Sequence, residues 1–256
     1  MTSNFNVFTS CAGHSAKSPG AGAHGYKEHE QARLCNDAFI KVMKAHGHGV
    51  INTTSDGRNK LAVLQEQVAK ANKINAGDKQ LDISFHLNSS GGKGATGVEV
   101  HYYSDNAKAI ASDISSAIAS TLGIKNRGAK QNKTLYFLRH TRATAILIEV
   151  CFIDNVSDMS ALVKKRTEAM TAVAEALIGP FFSSTESSTE STASTVKSTY
   201  QGHSIVDYLK SLDLDSSFSN RARLAVSYGI VTSPSHYHGT ASQNSQLLIR
   251  MREAAQ

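Results

Sequence analysis

Between residues 5 and 178, short β-rich runs alternate with longer segments whose apolar residues recur at helical spacing, and this alternation limits the available folds most. The β-rich runs lie near 5–10, 48–53, 81–87, 97–103, 134–138 and 145–152. Helical patterns lie near 28–46, 59–75, 105–122 and 157–178. In the last of these, Met159, Leu162, Val163, Met170, Val173, Ala174 and Leu177 mark one face. Such alternation predicts an α/β fold, a mixed and largely parallel sheet flanked by helices. Sites in such sheets collect at the carboxyl ends of strands, where residues far apart in sequence converge.

The pattern ends at Ser183. Of the seventeen residues from Ser183 to Thr199, twelve are Ser or Thr and none is aromatic. That composition buries too little apolar surface to repay ordering, and it predicts a flexible linker. The chain therefore divides into a domain over 1–182, a linker over 183–199 and a small domain over 200–256. The small domain reads as three short helices. Ser204 and Asp207 have the spacing of a capping box, as do Thr240 and Gln243. Asp215 is placed to cap the middle helix and Gly229 to stop it. Ile205, Tyr208, Leu209 and Leu212 form one apolar face, and Phe218, Ala222, Ala225 and Tyr228 a second. Leu247, Leu248 and Met251 form a third. A core of this size is marginal, so pairing with a second copy (a homo-oligomer through 200–256) or with the first domain would support it. Tyr237, between His236 and His238, is the aromatic best placed for surface contact.

The net charge of +6 resides in the first domain: residues 1–182 hold 21 Lys/Arg against 15 Asp/Glu. A polyanionic neighbour suits it, such as a bacterial wall with phosphate-rich polymers. No basic stripe is interleaved with aromatics, so nucleic acid is not expected. No apolar run is long enough to enter and span a bilayer. The start, Met1 to Phe8, has neither the charged nor the apolar region of a signal peptide. Cys11, Cys35 and Cys151 form no disulfide pattern and fit a reducing compartment. Cys35 and Cys151 read as small buried hydrophobes, whereas Cys11 stands close enough to His14 to line a site.

Four residues stand where strands end or helices begin. His14 follows the run Val7–Ser10, Glu28 opens a helical pattern, His86 ends Leu81–Phe85, and Glu149 ends Ala145–Ile148. Two imidazoles and one carboxylate leave a zinc position open for water, the form of a catalytic site. A second carboxylate beside them can serve as base and then acid, which suggests a metal-dependent hydrolase. A carboxylate inside an apolar strand is costly without a role or a partner, which singles out Glu149. Glu28 has rivals in His29 and Glu30, and a helix-opening Glu also complements the helix dipole. The run Gly91-Gly92-Lys93-Gly94 lacks phosphate-loop spacing and reads as a mobile loop over a groove.

Five segments occur together in one order: Cys11-Ala12-Gly13-His14, Gly25-Tyr26-Lys27-Glu28, Ser84-Phe85-His86-Leu87-Asn88-Ser89, Asn126-Arg127-Gly128-Ala129-Lys130, and Leu147 through Asn155. This set resembles the zinc-dependent N-acetylmuramoyl-L-alanine amidases of the amidase-3 type over about residues 5–180, and within them the endolysins of phages that infect Gram-positive, Bacillus-like hosts. The segment 203–253 resembles the wall-binding module at the end of some such endolysins. The chain departs from the family in having Ala143-Thr144 where a proline often stands, and Cys151 where glycine is common.

The resemblance implies that His14, Glu28 and His86 bind one catalytic zinc ion and that Glu149 is the catalytic carboxylate. It also implies substrate contacts for Asn88, and for Arg127 or Lys130 a role beside the developing oxyanion or on a peptide carboxylate. The expected substrate is peptidoglycan, cut between N-acetylmuramic acid and L-alanine. Gram-positive wall polymers are the expected partners of the tail. The protein is expected to remain in the host cytoplasm until lysis and then to act at the wall. The rival readings are a zinc peptidase acting on the wall peptide and a wall-binding protein without activity.

Overall fold

The computed structural model describes residues 5–179, 202–212, 216, 218–231 and 236–254. The chain divides into two compact units, 1–182 and 183–256. The Ser/Thr-rich segment, Tyr200 and the Asp215 cap lie outside the described residues.

In the first unit, β1 (Val7–Ala12) is followed by a small antiparallel hairpin of β2 (Gly22–Ala23) and β3 (Tyr26–Lys27). Then come α1 (Glu28–Ala45), β4 (Val50–Asn52), α2 (Lys60–Asn72), β5 (Gln80–Asn88), β6 (Val98–Tyr102) and α3 (Lys108–Leu122). β7 (Asn126–Gln131), α4 (Tyr136–His140), β8 (Thr144–Phe152) and α5 (Val156–Ile178) complete it. The sheet order is β4-β1-β5-β8-β6-β7. Every neighbouring pair is parallel except β8 with β6, so the expected mixed, largely parallel sheet is present.

Strand alternation decides which residues meet. On β5, Leu81, Ile83 and Phe85 join the main core, as do Ile146, Ile148 and Val150 on β8. The main core also takes in Phe39 of α1, Ile114 of α3 and Met170 of α5. The intervening residues point to the opposite face. There Ala145 and Leu147 pack with Cys11, Val68, Phe137 and Leu138 under α2 and α4. His86 and Glu149 share the parity of that second face, and they stand directly opposite each other in the β5–β8 register. Both lie within their strands rather than at the ends, His86 two residues before the end of β5 and Glu149 three before the end of β8.

The strand expected near 134–138 is instead the short helix α4, and the strand is β7, at 126–131. β7 is a half-exposed edge, so its polar sequence Asn-Arg-Gly-Ala-Lys-Gln needs no apolar alternation. One helical turn of α4 buries the adjacent Phe137 and Leu138 together. At the start of α5, Asn155 accepts hydrogen bonds from the Ser157 and Asp158 amides. Asp158, itself buried, ties Thr96, Gly97 and Phe152 to that helix end.

In the second unit the described helices are α6 (Ile205–Ser211), α7 (Phe218–Ser227) and α8 (Ala241–Ala254). Ser204 accepts from the Asp207 amide at 3.3 Å and Thr240 from the Gln243 amide at 3.3 Å, one arm of each expected box. Two aromatics exchange their expected roles. Tyr237 is buried, with its hydroxyl on Asn244, whereas Phe218 is 51% exposed. The Tyr hydroxyl finds an internal partner, so the ring can be buried at little cost. None of the described helices is long and apolar enough to cross a membrane.

Candidate metal centre and its cleft

His14, Glu28 and His86 come together although they are carried by a loop, a helix start and a strand. His14 Nε2 and His86 Nδ1 each lie 3.1 Å from Glu28 Oε1. One donor atom from each residue falls within 4.8 Å of the others. Donors bonded at ~2.0–2.1 Å in a tetrahedron stand about 3.3–3.4 Å apart, so this nitrogen and oxygen set fits one divalent ion. Backbone groups fix the carboxylate: the Ala21 amide donates to Glu28 Oε2 at 2.8 Å and the Leu87 amide to Oε1 at 3.3 Å. Burial alone would raise the Glu28 carboxyl, but hydrogen bonds from His14 and His86 outweigh it and hold the group well below the usual carboxylate range. The rivals of Glu28 do not reach the centre: Glu30 is exposed and lies 3.3 Å from Lys27 and 3.9 Å from His29. Cys11 does not line the site either; it is fully buried, and burial pushes its thiol up to about 12.

Two glycines make the packing around these donors tight. A Cβ on Gly13 would stand 2.2 Å from His86 Cε1. On Gly20, whose φ is +75°, it would stand 2.4 Å from Glu28 Oε2. Gly13→Ala is therefore expected to push the His86 ring out of the donor set. Metal affinity should fall by about 10–100-fold, the usual cost of disturbing a ligand's support, as read by competition with a chromogenic chelator.

Glu149 lies opposite His86 with its Oε2 buried and without a hydrogen-bond partner. Burial, helped by the charges of Glu28 and Glu99, pushes its carboxyl up from 4.5 to about 8. A raised acid contributes stability that is present below its unfolded value and lost as pH rises through the folded one. The metal-free protein should therefore lose up to about 4 kcal/mol between pH 4.5 and 8.5 from this group. Glu149→Gln should flatten that slope in denaturant melts, and so should a bound divalent ion, whose charge favours the carboxylate. Glu28 acts in the opposite sense: its contribution is present above the unfolded value and is lost only in acid, below the usual carboxylate range.

The three donors and Glu149 face one cavity of about 480 Å³. Val63 and Leu64 of α2, with Leu135, Tyr136 and Phe137, make one wall, and Lys60 stands among the lining residues. Asn88 and Ser89 lie on the cavity as well, so Asn88 is where the sequence pointed. Arg127 and Lys130 are not among the lining residues. Both donate to Glu99 Oε2, at 2.7 and 2.6 Å, so neither is a partner for charge developing at the metal centre. The glycine loop after β5 is pinned rather than mobile: Asp154 Oδ2 accepts from the Ser90 amide at 2.9 Å and the Gly92 amide at 2.8 Å.

Glu99 and Asp154 were the residues sequence reasoning missed. Glu99 carried a usable signal, a carboxylate between two valines in a β-rich run. Asp154 carried none, since the loop it holds is more than sixty residues away in sequence.

Similarity to known proteins extends over this same domain. An uncharacterized protein of Bacillus subtilis, YqiI, is 32% identical over 155 residues, 59% of this chain and 72% of YqiI. The endolysin of Bacillus phage SPP1 is 32% identical over 162 residues, 60% of this chain and 57% of that protein. The solved catalytic domain of the CD27L endolysin targeting Clostridia Difficile superposes with a TM-score of 0.58 at 30% identity, covering 66% of this chain and 95% of that one. The model of the amidase-3 family, N-acetylmuramoyl-L-alanine amidase, matches residues 11–178. With that match spanning every residue of the centre just described, the chain belongs to the amidase-3 family of N-acetylmuramoyl-L-alanine amidases.

Proposed function

We propose that this chain is a zinc-dependent endolysin that hydrolyses the amide between N-acetylmuramic acid and L-alanine in peptidoglycan. The observation that carries the reading is the convergence of His14, Glu28, His86 and a half-buried Glu149, whose buried Oε2 has no hydrogen-bond partner, on one cavity. Zinc, when bound, supplies a Lewis acid that makes water nucleophilic near neutral pH and polarises the scissile carbonyl. His14, Glu28 and His86 would hold that ion, beside the cavity they line. Glu149 takes the proton of the attacking water and delivers it to the departing alanine nitrogen. Asn88, on the cavity wall, positions the substrate.

The second unit serves as the wall-binding module. The Ser/Thr-rich segment tethers the enzyme to it and raises the local concentration of substrate. Among the described residues, Phe218 on α7 and Ile249 on α8 are the large apolar side chains it exposes. The protein waits in the host cytoplasm and reaches the wall at lysis of a Gram-positive host.

Digestion in ¹⁸O-water tests the bond assignment. The label should enter the lactyl carboxyl of the muramic acid, with new N-terminal alanine and no new reducing sugar. Label in a peptide carboxyl instead would make the enzyme a peptidase.

A further inference from the structure

Gln67 is a buried polar side chain of the cavity that the reaction leaves unused. It lines the cavity, yet it is only 1% exposed. Its Nε2 donates to the Ala12 carbonyl at 2.7 Å, which ties α2 to the end of β1, just before the donor His14. Its Oε1 accepts from no described residue. A buried amide oxygen without a donor is costly, so the position calls for an N–H from a ligand. Lys60, Val63, Leu64 and Gln67 all line the cavity, and their spacing sets them along one face of α2. Lys60 is exposed and stands about 10 Å along the helix from Gln67, so Lys60 marks the mouth and Gln67 the floor. The remaining surface near this face is apolar: Val63 and Leu64 lie one turn before Gln67, and Phe137 of α4 and Leu147 of β8 line the same cavity. The wall is braced, since Asn72 at the end of α2 donates to the His140 carbonyl at 3.0 Å and accepts from the Arg142 amide at 2.8 Å.

We propose that Gln67 and the apolar side chains beside it form a subsite for the acetamido group of the muramoyl sugar, so that the enzyme selects N-acetylated over de-N-acetylated glycan. The inference rests on the amidase reading above. An acetamido group carries an N–H for Gln67 Oε1 and a methyl for the apolar side chains. In the muramoyl sugar it stands on the ring carbon next to the one that bears the lactyl ether. Its subsite must therefore lie beside the centre that cuts the lactyl amide, and the bond to Ala12 puts Gln67 there. A free amino group in its place enters as an ammonium ion. It forfeits the burial of the methyl and brings a charge among Val63, Leu64, Phe137 and Leu147, at a cost well above that of a neutral amide. Gln67 is a specificity-determining residue: it holds the sugar and takes no part in proton transfer.

The test compares three synthetic muramoyl peptides that differ only on the sugar nitrogen: acetamido, formamido and free amino. The full chain, loaded with zinc, is expected to favour the acetamido compound over the amino one by at least about tenfold in kcat/KM, with most of the difference in KM. The formamido compound keeps the N–H and lacks the methyl, so it should fall about fourfold below the acetamido one. Gln67→Met keeps the length of the side chain and removes the acceptor. It should cut kcat/KM for the acetamido and formamido compounds by about tenfold and leave the amino compound less affected. If that variant does not fold, Leu64→Ala, at a half-buried position, should by itself shrink the preference for acetamido over formamido. A wild-type ratio near one, or variants that slow all three compounds equally, would overturn the subsite and leave the amidase reading standing. A wild type that cuts none of the three, with no N-terminal alanine released from walls, overturns both.

Discussion

Glu149→Gln is expected to lower kcat by about 10³-fold, or about 4 kcal/mol in barrier height, while the protein still folds and still binds one metal ion. The substitution keeps the size of the side chain and removes only its ability to carry a proton. Glu149 has no hydrogen-bond partner on its buried Oε2. The amide therefore breaks no visible contact, and the loss is one of chemistry rather than architecture. KM should change little, because proton transfer belongs to the transition state. Stopped assays of wall digestion, with metal content measured on the same sample, separate the two effects. A variant that loses metal and activity together would show that Glu149 holds the centre rather than acting within it.

Glu28→Ala should have the larger effect on the protein itself. Glu28 Oε1 stands between both imidazoles, and its Oε2 is anchored by the Ala21 amide. Without it the two histidines lack both the third donor and the negative charge that balances a divalent ion. Metal affinity should fall by more than about 100-fold, beyond the usual cost of altering a ligand's support. In the wild type, free metal at about a thousand times its Kd should stabilise the fold by about 4 kcal/mol, a rise of roughly 10 °C in Tm for a domain of this size. The variant should show almost none of that rise, and chelator should leave its melt unchanged. A wild type whose Tm does not respond to metal would contradict the assignment of the three donors.

Much of the centre was legible because each ligand is tied to local grammar. His14 and His86 follow or end apolar β-rich runs, and Glu28 opens a helix. The α/β class followed from alternating periodicities, and α1, α2, α3 and α5 lie where the helical patterns were. What was not legible depends on pairing between distant strands. β7 is a polar edge, and nothing in Asn126–Gln131 announces a strand. Without β7, Arg127 and Lys130 look free to meet charge at the metal centre. With it, they fall on Glu99. The loop at 91–94 looked mobile because four residues with three glycines have little intrinsic order, and Asp154 supplies the order from across the fold. Tyr237 looked like a surface ring between two histidines, but a small core takes any large apolar body whose polar tip finds a partner.

The most direct measurement is clearance of purified Gram-positive walls by wild type and by Glu149→Ala, each zinc-loaded and chelator-treated, with new N-termini identified. Clearance is expected from the zinc-loaded wild type alone, with alanine as the new N-terminus. Equal clearance by the Glu149→Ala protein would contradict the mechanism at its central residue, and binding of walls without cleavage by either protein would make this a docking protein.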